Sequence, residues 1–223
     1  MNVSKMNAMA LAYMQRGDYG SAVFILKRAL GALKMNLGTT VDHSQVKVGS
    51  PVISSCVRAI NMGAKKALSE GDVFEVFASA FEVPDVELQN VRTDSLASLV
   101  MLYNMGLCYQ LNALSTGSTQ HLHTARNVYK MALSVVERCL GDALTDPFLV
   151  LLLLALFNNM GHIHTTCYDA ADTVQCMTAL AALLESRTFA FARNGEASEL
   201  FLFFEWNNTL AISNPLFAFA PAA

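Results

Sequence analysis

Twice in this chain an apolar stretch is interrupted by the same tripeptide, Asn104-Met105-Gly106 and Asn159-Met160-Gly161, with the two glycines 55 residues apart. A glycine inside a helix costs about 1 kcal/mol against alanine, so a repeated one needs a packing reason. The sequence suggests close approach of a neighbouring helix backbone. A ring follows each glycine at the third position, Tyr109 and His164. Near the N-terminus, Met9-Ala10 followed by Tyr13 repeats the pattern with alanine in the glycine's place. Self-similarity of this kind predicts a repeated helical unit before any other architecture.

The local patterns agree. Met6, Met9, Ala10 and Tyr13 form an i, i+3, i+4, i+7 stripe over residues 3–16. Arg16-Gly17-Asp18 breaks that helix, and Asp18 is placed to cap a second one from Tyr19 to about Leu37, striped by Ala22, Leu26, Ala29 and Leu30. So short a turn predicts an antiparallel hairpin. Further on, the pattern predicts a helix from Asp94 to Leu111, a loop over Asn112 to Thr119 and a partner helix from Gln120 to Leu140. Asp146-Pro147 then opens a leucine-rich helix with a cap and a first-turn proline. A last helix is predicted from Tyr168-Asp169 to Arg187.

Between the first hairpin and Asp94, glycines and prolines chop the chain into short pieces. Pro51 to Ile60 and Asp72 to Val83, rich in Val, Ile and Phe, read as strands of a small antiparallel hairpin, with one helical turn over Ala64 to Ser69. The aromatic tail around Leu200 to Ile212 reads as a third strand lying on that hairpin. The predicted organisation is therefore a hairpin over 1–37, an insertion with strands over 38–95, two further helical hairpins over 96–187 and a tail over 188–223. The expected class is mainly α, with a small antiparallel β insertion.

The run Met9-Ala10-Leu11-Ala12-Tyr13, Gly17-Asp18-Tyr19, Ala22 and Ala29-Leu30 resembles a tetratricopeptide repeat. Gly106, Tyr109, Ala125, Tyr129, Ala132 and Leu133 resemble a second copy. Gly161, His164, Tyr168-Asp169 and the stripe Val174, Met177, Leu180 resemble a third, and the arrangement is similar to an algal, diatom-type tetratricopeptide-like family. The copies are not contiguous, and the proline that usually follows each second helix is absent. The resemblance implies a protein-interaction scaffold whose first helices line a concave groove that takes a guest peptide or helix. On that reading the groove is lined by Asn7, Leu11, Met14 and Gln15, by Tyr103, Asn104, Leu107 and Gln110, and by Asn158, Asn159, His162 and Thr165. Amides on such a face can pair with a guest backbone. The lysines and arginine that co-chaperone repeats use to hold a terminal carboxylate are missing; Asn7, Ala155 and Asn159 stand there. The alternative reading is a subunit whose apolar faces serve homo-oligomerisation.

Composition narrows the partners. Charged residues make up 15% of the chain, against about 25% in an ordinary domain, so part of the surface is apolar and suited to being covered. A net charge of -3 carries no basic footprint for nucleic acid. The apolar run Phe148 to Phe157 is too short for a membrane span and reads as a buried helix. No signal peptide is read at the start, so the expected compartment is cytoplasmic or nuclear, and the five cysteines, without a CxxC pair, read as reduced thiols. His121 with His123 and His162 with His164 are two apart, which on a helix points them about 200° away from each other and away from a shared ion. No phosphate loop or nucleophile elbow occurs. The expectation is no metal, no cofactor and no catalytic set, with an enzyme as the least favoured alternative.

Overall fold

The structure, a computed structural model, describes residues 2–39, 58–62, 74–83, 91–139, 146–185 and 197–213. Among them the chain is mainly helical, with seven helices and one two-stranded antiparallel sheet. Two compact units emerge, the first from Met1–Ala64 with Ala78–Gly141, the second from Lys65–Phe77 with Asp142–Ala223. The division falls inside the segment read as an insertion, between Phe77 and Ala78.

In the first unit, α1 (Val3–Gln15) packs on α2 (Tyr19–Thr39), α2 on α3 (Val91–Thr116), and α3 on α4 (Thr119–Cys139). Asn2 caps α1 by accepting from the Ser4 amide. The predicted stripes are buried in part: Met6 and Ala10 on α1 and Ala22, Leu26 and Ala29 on α2 are buried, whereas Met9 is exposed and Tyr13 and Leu30 are half-buried. Met14 and Leu33 complete the buried faces. Helix α3 is buried on nearly every side from Asp94 to Leu111. Strands β1 (Arg58–Asn61) and β2 (Ser79–Glu82) pair antiparallel, Arg58 opposite Glu82 and Asn61 opposite Ser79. Helices α1 and α3 both pack on β2.

In the second unit, α5 (Pro147–Thr166) packs on α6 (Ala170–Glu185), and both touch α7 (Ala197–Ser213). Asp146 caps α5 with Pro147 in its first turn, as the sequence predicts. Helix α5 is long and apolar enough to cross a membrane, but 83% of its apolar window is buried inside the chain. Each unit thus has one helix enclosed on nearly all sides, and that helix carries the Asn-Met-Gly tripeptide.

Several expectations need correction. The tail is not a strand: Ala197–Ser213 is helical, because Phe201, Phe204, Asn207 and Ala211 recur with a period near 3.6 and form one buried face. That periodicity overrides the β preference of its aromatic residues. The loop predicted from Asn112 is helical through Thr116, and α3 starts at Val91, ahead of Asp94. Extra turns on a helix already packed on two neighbours cost little, whatever the local composition favours. The second strand is shorter than predicted, and Phe74 to Ala78 lie outside the ladder. The turn read over Ala64 to Ser69, and residues 51–57 of the first predicted strand, lie outside the described residues.

The repeated glycines are close-packing positions, but their neighbours are rings and not helix backbone. A Cβ on Gly106 would stand 2.4 Å from the Tyr129 ring, and one on Gly161 would stand 2.9 Å from the Phe74 ring. The Tyr129 ring is held in place by full burial and by its hydroxyl, which donates to Gln110 Oε1 at 2.9 Å.

Candidate functional site

A strand has two hydrogen-bonding edges, and successive residues address them alternately. On β2 one edge belongs to β1. The Met62 amide donates to Ala78 O at 2.8 Å, and antiparallel alternation assigns Ala80 and Glu82 to the same side. Side chains of α1 and α3 serve the other edge. Asn104 brackets Phe81: the Phe81 amide donates to Asn104 Oδ1 at 2.9 Å, and Asn104 Nδ2 donates to Phe81 O at 2.7 Å. Asn7 Nδ2 donates to the same carbonyl at 3.0 Å, while its own Oδ1 accepts from Asn104 at 3.0 Å. Two residues to either side, Tyr103 Oη donates to Ser79 O and Ser4 Oγ to Val83 O. Residues 79, 81 and 83 are therefore held by helix side chains as an adjacent strand would hold them.

The second unit builds the same device. The Phe77 amide donates to Asn159 Oδ1 at 2.8 Å, and Asn159 Nδ2 donates back to Phe77 O at 3.1 Å. Asn207, on α7, brackets Glu75 in the same way, at 3.3 Å from its amide and 2.8 Å to its carbonyl. Asn158 Nδ2 donates to the same Glu75 carbonyl at 2.9 Å, and its Oδ1 accepts from Asn207 at 2.7 Å. Asn158 stands to Asn207 as Asn7 stands to Asn104. Carboxamides suit this task because one planar group offers an acceptor and two donors, so a single side chain satisfies both polar groups of one residue. All five asparagines are wholly buried, where a backbone group left without such a partner would cost about 1–3 kcal/mol.

Apolar contacts complete each cradle. The Phe81 ring lies 5.1 Å from Tyr103, and Phe77 lies 5.4 Å from Phe203 and 4.8 Å from Phe204, all tilted as aromatic quadrupoles favour. Phe74 sits over Gly161, so the missing Cβ is the space its ring fills.

The residues assigned to a groove for a foreign chain are thus largely in the interior. Asn7, Tyr103 and Asn104 do hold backbone, and it is the protein's own, Ser79 and Phe81 of the first unit; Asn158 and Asn159 hold Glu75 and Phe77 of the second. Leu11, Met14 and Leu107 are core, and Gln110 is buried as the acceptor of Tyr129. His162 is buried on α5, and Gln15 alone of the predicted set is openly exposed. Sequence reasoning missed Ser4, Asn207 and the held segment itself. The signal for the segment was present as Phe74, Phe77 and Phe81, three large apolar residues in one short stretch that needed a place to be buried.

The ionisable groups give little catalytic material. Burial pushes the Cys108 thiol well above its usual range, so it is not a thiolate nucleophile. Burial likewise pushes the Asp94 carboxyl up, and its Oδ1 has no hydrogen-bond partner among the described residues. Among the described residues one set combines metal-binding residue types: His164, Asp169 and Asp172.

No model of a known protein family, no curated protein and no solved structure matches the chain. Function has to be argued from this geometry.

Proposed function

We propose that this chain is a non-catalytic protein-interaction scaffold of tetratricopeptide-like helical hairpins, with its backbone-holding face already occupied by its own chain. The single observation that carries the reading is the bracketing of Glu75, Phe77 and Phe81 by Asn207, Asn159 and Asn104. Helical faces lined with carboxamides in this way are fitted to an extended polypeptide and to little else. The repeat reading gains support from three helix-to-helix turns among the described residues. Gly17, Gly117 and Tyr168 each adopt a left-handed conformation, with φ of 76°, 72° and 58°. The next residue caps the following helix each time: Asp18 accepts from the Ser21 amide, Ser118 from His121 and Asp169 from Asp172.

Because the cradles are full, a foreign chain is assigned to the outer surface. Leu202 and Trp206 lie four apart on α7 and are largely exposed, so they sit on one helix face. Tryptophan is the residue most enriched among interface anchors, and this is the only one in the chain. The exposed Phe24, by contrast, is partly covered by Arg28, whose guanidinium lies 5.9 Å from the ring centroid. The partner assigned to α7 is a polypeptide with an apolar face of its own.

The test compares the native chain, a Leu202→Ala, Trp206→Ala variant and a Phe24→Ala control in quantitative affinity capture, with light scattering alongside. Exposed substitutions shift stability by less than about 0.5 kcal/mol, so all three melt alike. The native chain and the control retain the same partner, and the double variant loses it. Equal capture by all three contradicts the assignment. An oligomer that only the double variant dissociates favours self-association instead.

A further inference from the structure

The three turns share one backbone design, and that makes them controls for one another. The design needs a residue that tolerates positive φ, followed by a capping side chain; Gly17 with Asp18 and Gly117 with Ser118 supply both and nothing more. The third turn adds side chains that the design does not require. Five positions before the cap stand Tyr13, Ala113 and His164; three positions after it stand Ser21, His121 and Asp172. Only the third turn brings an imidazole and two carboxylates to one place.

His164 Nδ1 lies 3.4 Å from Asp169 Oδ2 and 3.5 Å from Asp172 Oδ2, and the three candidate ligand atoms lie within 4.8 Å of one another. These separations are long for charge-assisted hydrogen bonds, which close to about 2.7–2.9 Å. They fit a different arrangement. Ligands at about 2.0–2.2 Å from a tetrahedral Zn²⁺ stand about 3.3–3.6 Å apart, and the two histidine–carboxylate separations match that edge of the coordination polyhedron. The Asp169 carboxylate is divided suitably: Oδ1 accepts from the Asp172 amide, which fixes the group and leaves Oδ2 directed at His164. The His164 side chain is 1% exposed and the two carboxylates 37% and 39%, so the set has a buried anchor and an open side.

We propose that His164, Asp169 and Asp172 form a divalent transition-metal site of the zinc class. One nitrogen and two carboxylate oxygens are a mixed donor set suited to such an ion, and three protein ligands leave a coordination position for water or for a side chain from a partner. The ion would clip the last turn of α5 to the first turn of α6 and neutralise two carboxylates there. The alternative is a protonated histidine bridging two aspartates, which needs no metal. The two differ in a way that can be measured. This inference does not rest on the interaction reading, since it concerns ion binding by the isolated chain.

The experiment titrates Zn²⁺ into the full chain by calorimetry and repeats the titration with Asp172→Asn. The site predicts one Zn²⁺ per chain, at least a tenfold loss of affinity in the variant, and a rise in melting temperature with Zn²⁺ that the variant does not show. Asp169→Asn, which keeps an oxygen for the cap, gives the same loss and guards against a folding artefact at one position. Co²⁺ in place of Zn²⁺ reports the donor atoms: visible bands without a thiolate charge-transfer band place the ion on nitrogen and oxygen. No binding by the native chain, equal affinity in both variants, or a thiolate band from the cysteines each overturns the proposal.

Discussion

The cradles of the two units solve one problem with different resources. In the first unit the held segment is half of a sheet: β1 takes one edge of β2, and Asn104, Asn7, Tyr103 and Ser4 take the other. In the second unit Glu75 and Phe77 belong to no sheet, and asparagines from α5 and α7 hold the backbone. The relation of Asn7 to Asn104 reappears between Asn158 and Asn207, although Asn7 belongs to α1 and Asn207 to α7. What the two have in common is a carboxamide pair aimed at one residue, and it does not depend on a neighbouring strand. Asparagine side chains here replace a strand.

Removing the brackets should produce the largest effects, and the two units should respond alike. Asn159→Ala withdraws the side chain that meets both the Phe77 amide and its carbonyl. Asn104→Ala withdraws the Phe81 amide's acceptor and the donor to Asn7 Oδ1, while the Phe81 carbonyl keeps Asn7 as a donor. Each change strips a partner from two buried groups, so at about 1–3 kcal/mol for each group both variants should cost about 2–6 kcal/mol. Denaturant midpoints check the match. A cost below about 1 kcal/mol for either variant would mean that its asparagine does not hold the backbone.

The glycines come next. Gly106→Ala drives a methyl into a ring fixed by burial and by a hydrogen bond, and overpacking of that kind costs about 1–3 kcal/mol. Gly161→Ala meets Phe74 at a longer distance, and the helix propensity that alanine regains, about 1 kcal/mol, offsets much of the cost. The first should lower the melting temperature clearly and the second only slightly. Comparable losses would show the two ring seats to be equally rigid.

How much of this was legible in the sequence follows from the range of the forces involved. The helical stripes, the Asp146-Pro147 start and the breaks at Gly17 and Asp146 are local, so periodicity and capping chemistry found them. The Asn-Met-Gly repeat was legible as a packing signal, and Asn7, Asn104, Asn158 and Asn159 were legible as backbone-holding amides. What they hold was not. Nothing local says that Phe74 to Val83 will lie against helices more than twenty residues away in sequence. The apolar tail was misread because its aromatic residues favour strands, while its helical period is carried partly by Asn207, a polar residue whose buried amide is matched by Glu75 and Asn158. The set His164, Asp169 and Asp172 escaped notice because its spacing of five and eight crosses a turn, outside the i, i+3, i+4 rule of a single helix.

A smaller effect sharpens the comparison of the turns. Tyr168 has a φ of 58° and a side chain 96% exposed, where the sister turns have glycine. A left-handed conformation costs an ordinary residue about 1 kcal/mol, so Tyr168→Gly should stabilise the chain by up to ~1 kcal/mol, while Gly17→Ala should destabilise it by a similar amount. If Tyr168→Gly instead destabilises, the exposed ring makes a contact of value that compensates its strain.

The claim that asparagines act as a strand is tested most directly by amide hydrogen exchange of the native chain, read residue by residue. The account predicts that the amides of Phe77 and Phe81 exchange as slowly as those of the buried helices, although both donate to asparagine side chains and not to a strand, and that Asn104→Ala releases Phe81 while Phe77 stays protected. Exchange of both amides at the rate of an unstructured peptide in the native chain would contradict it.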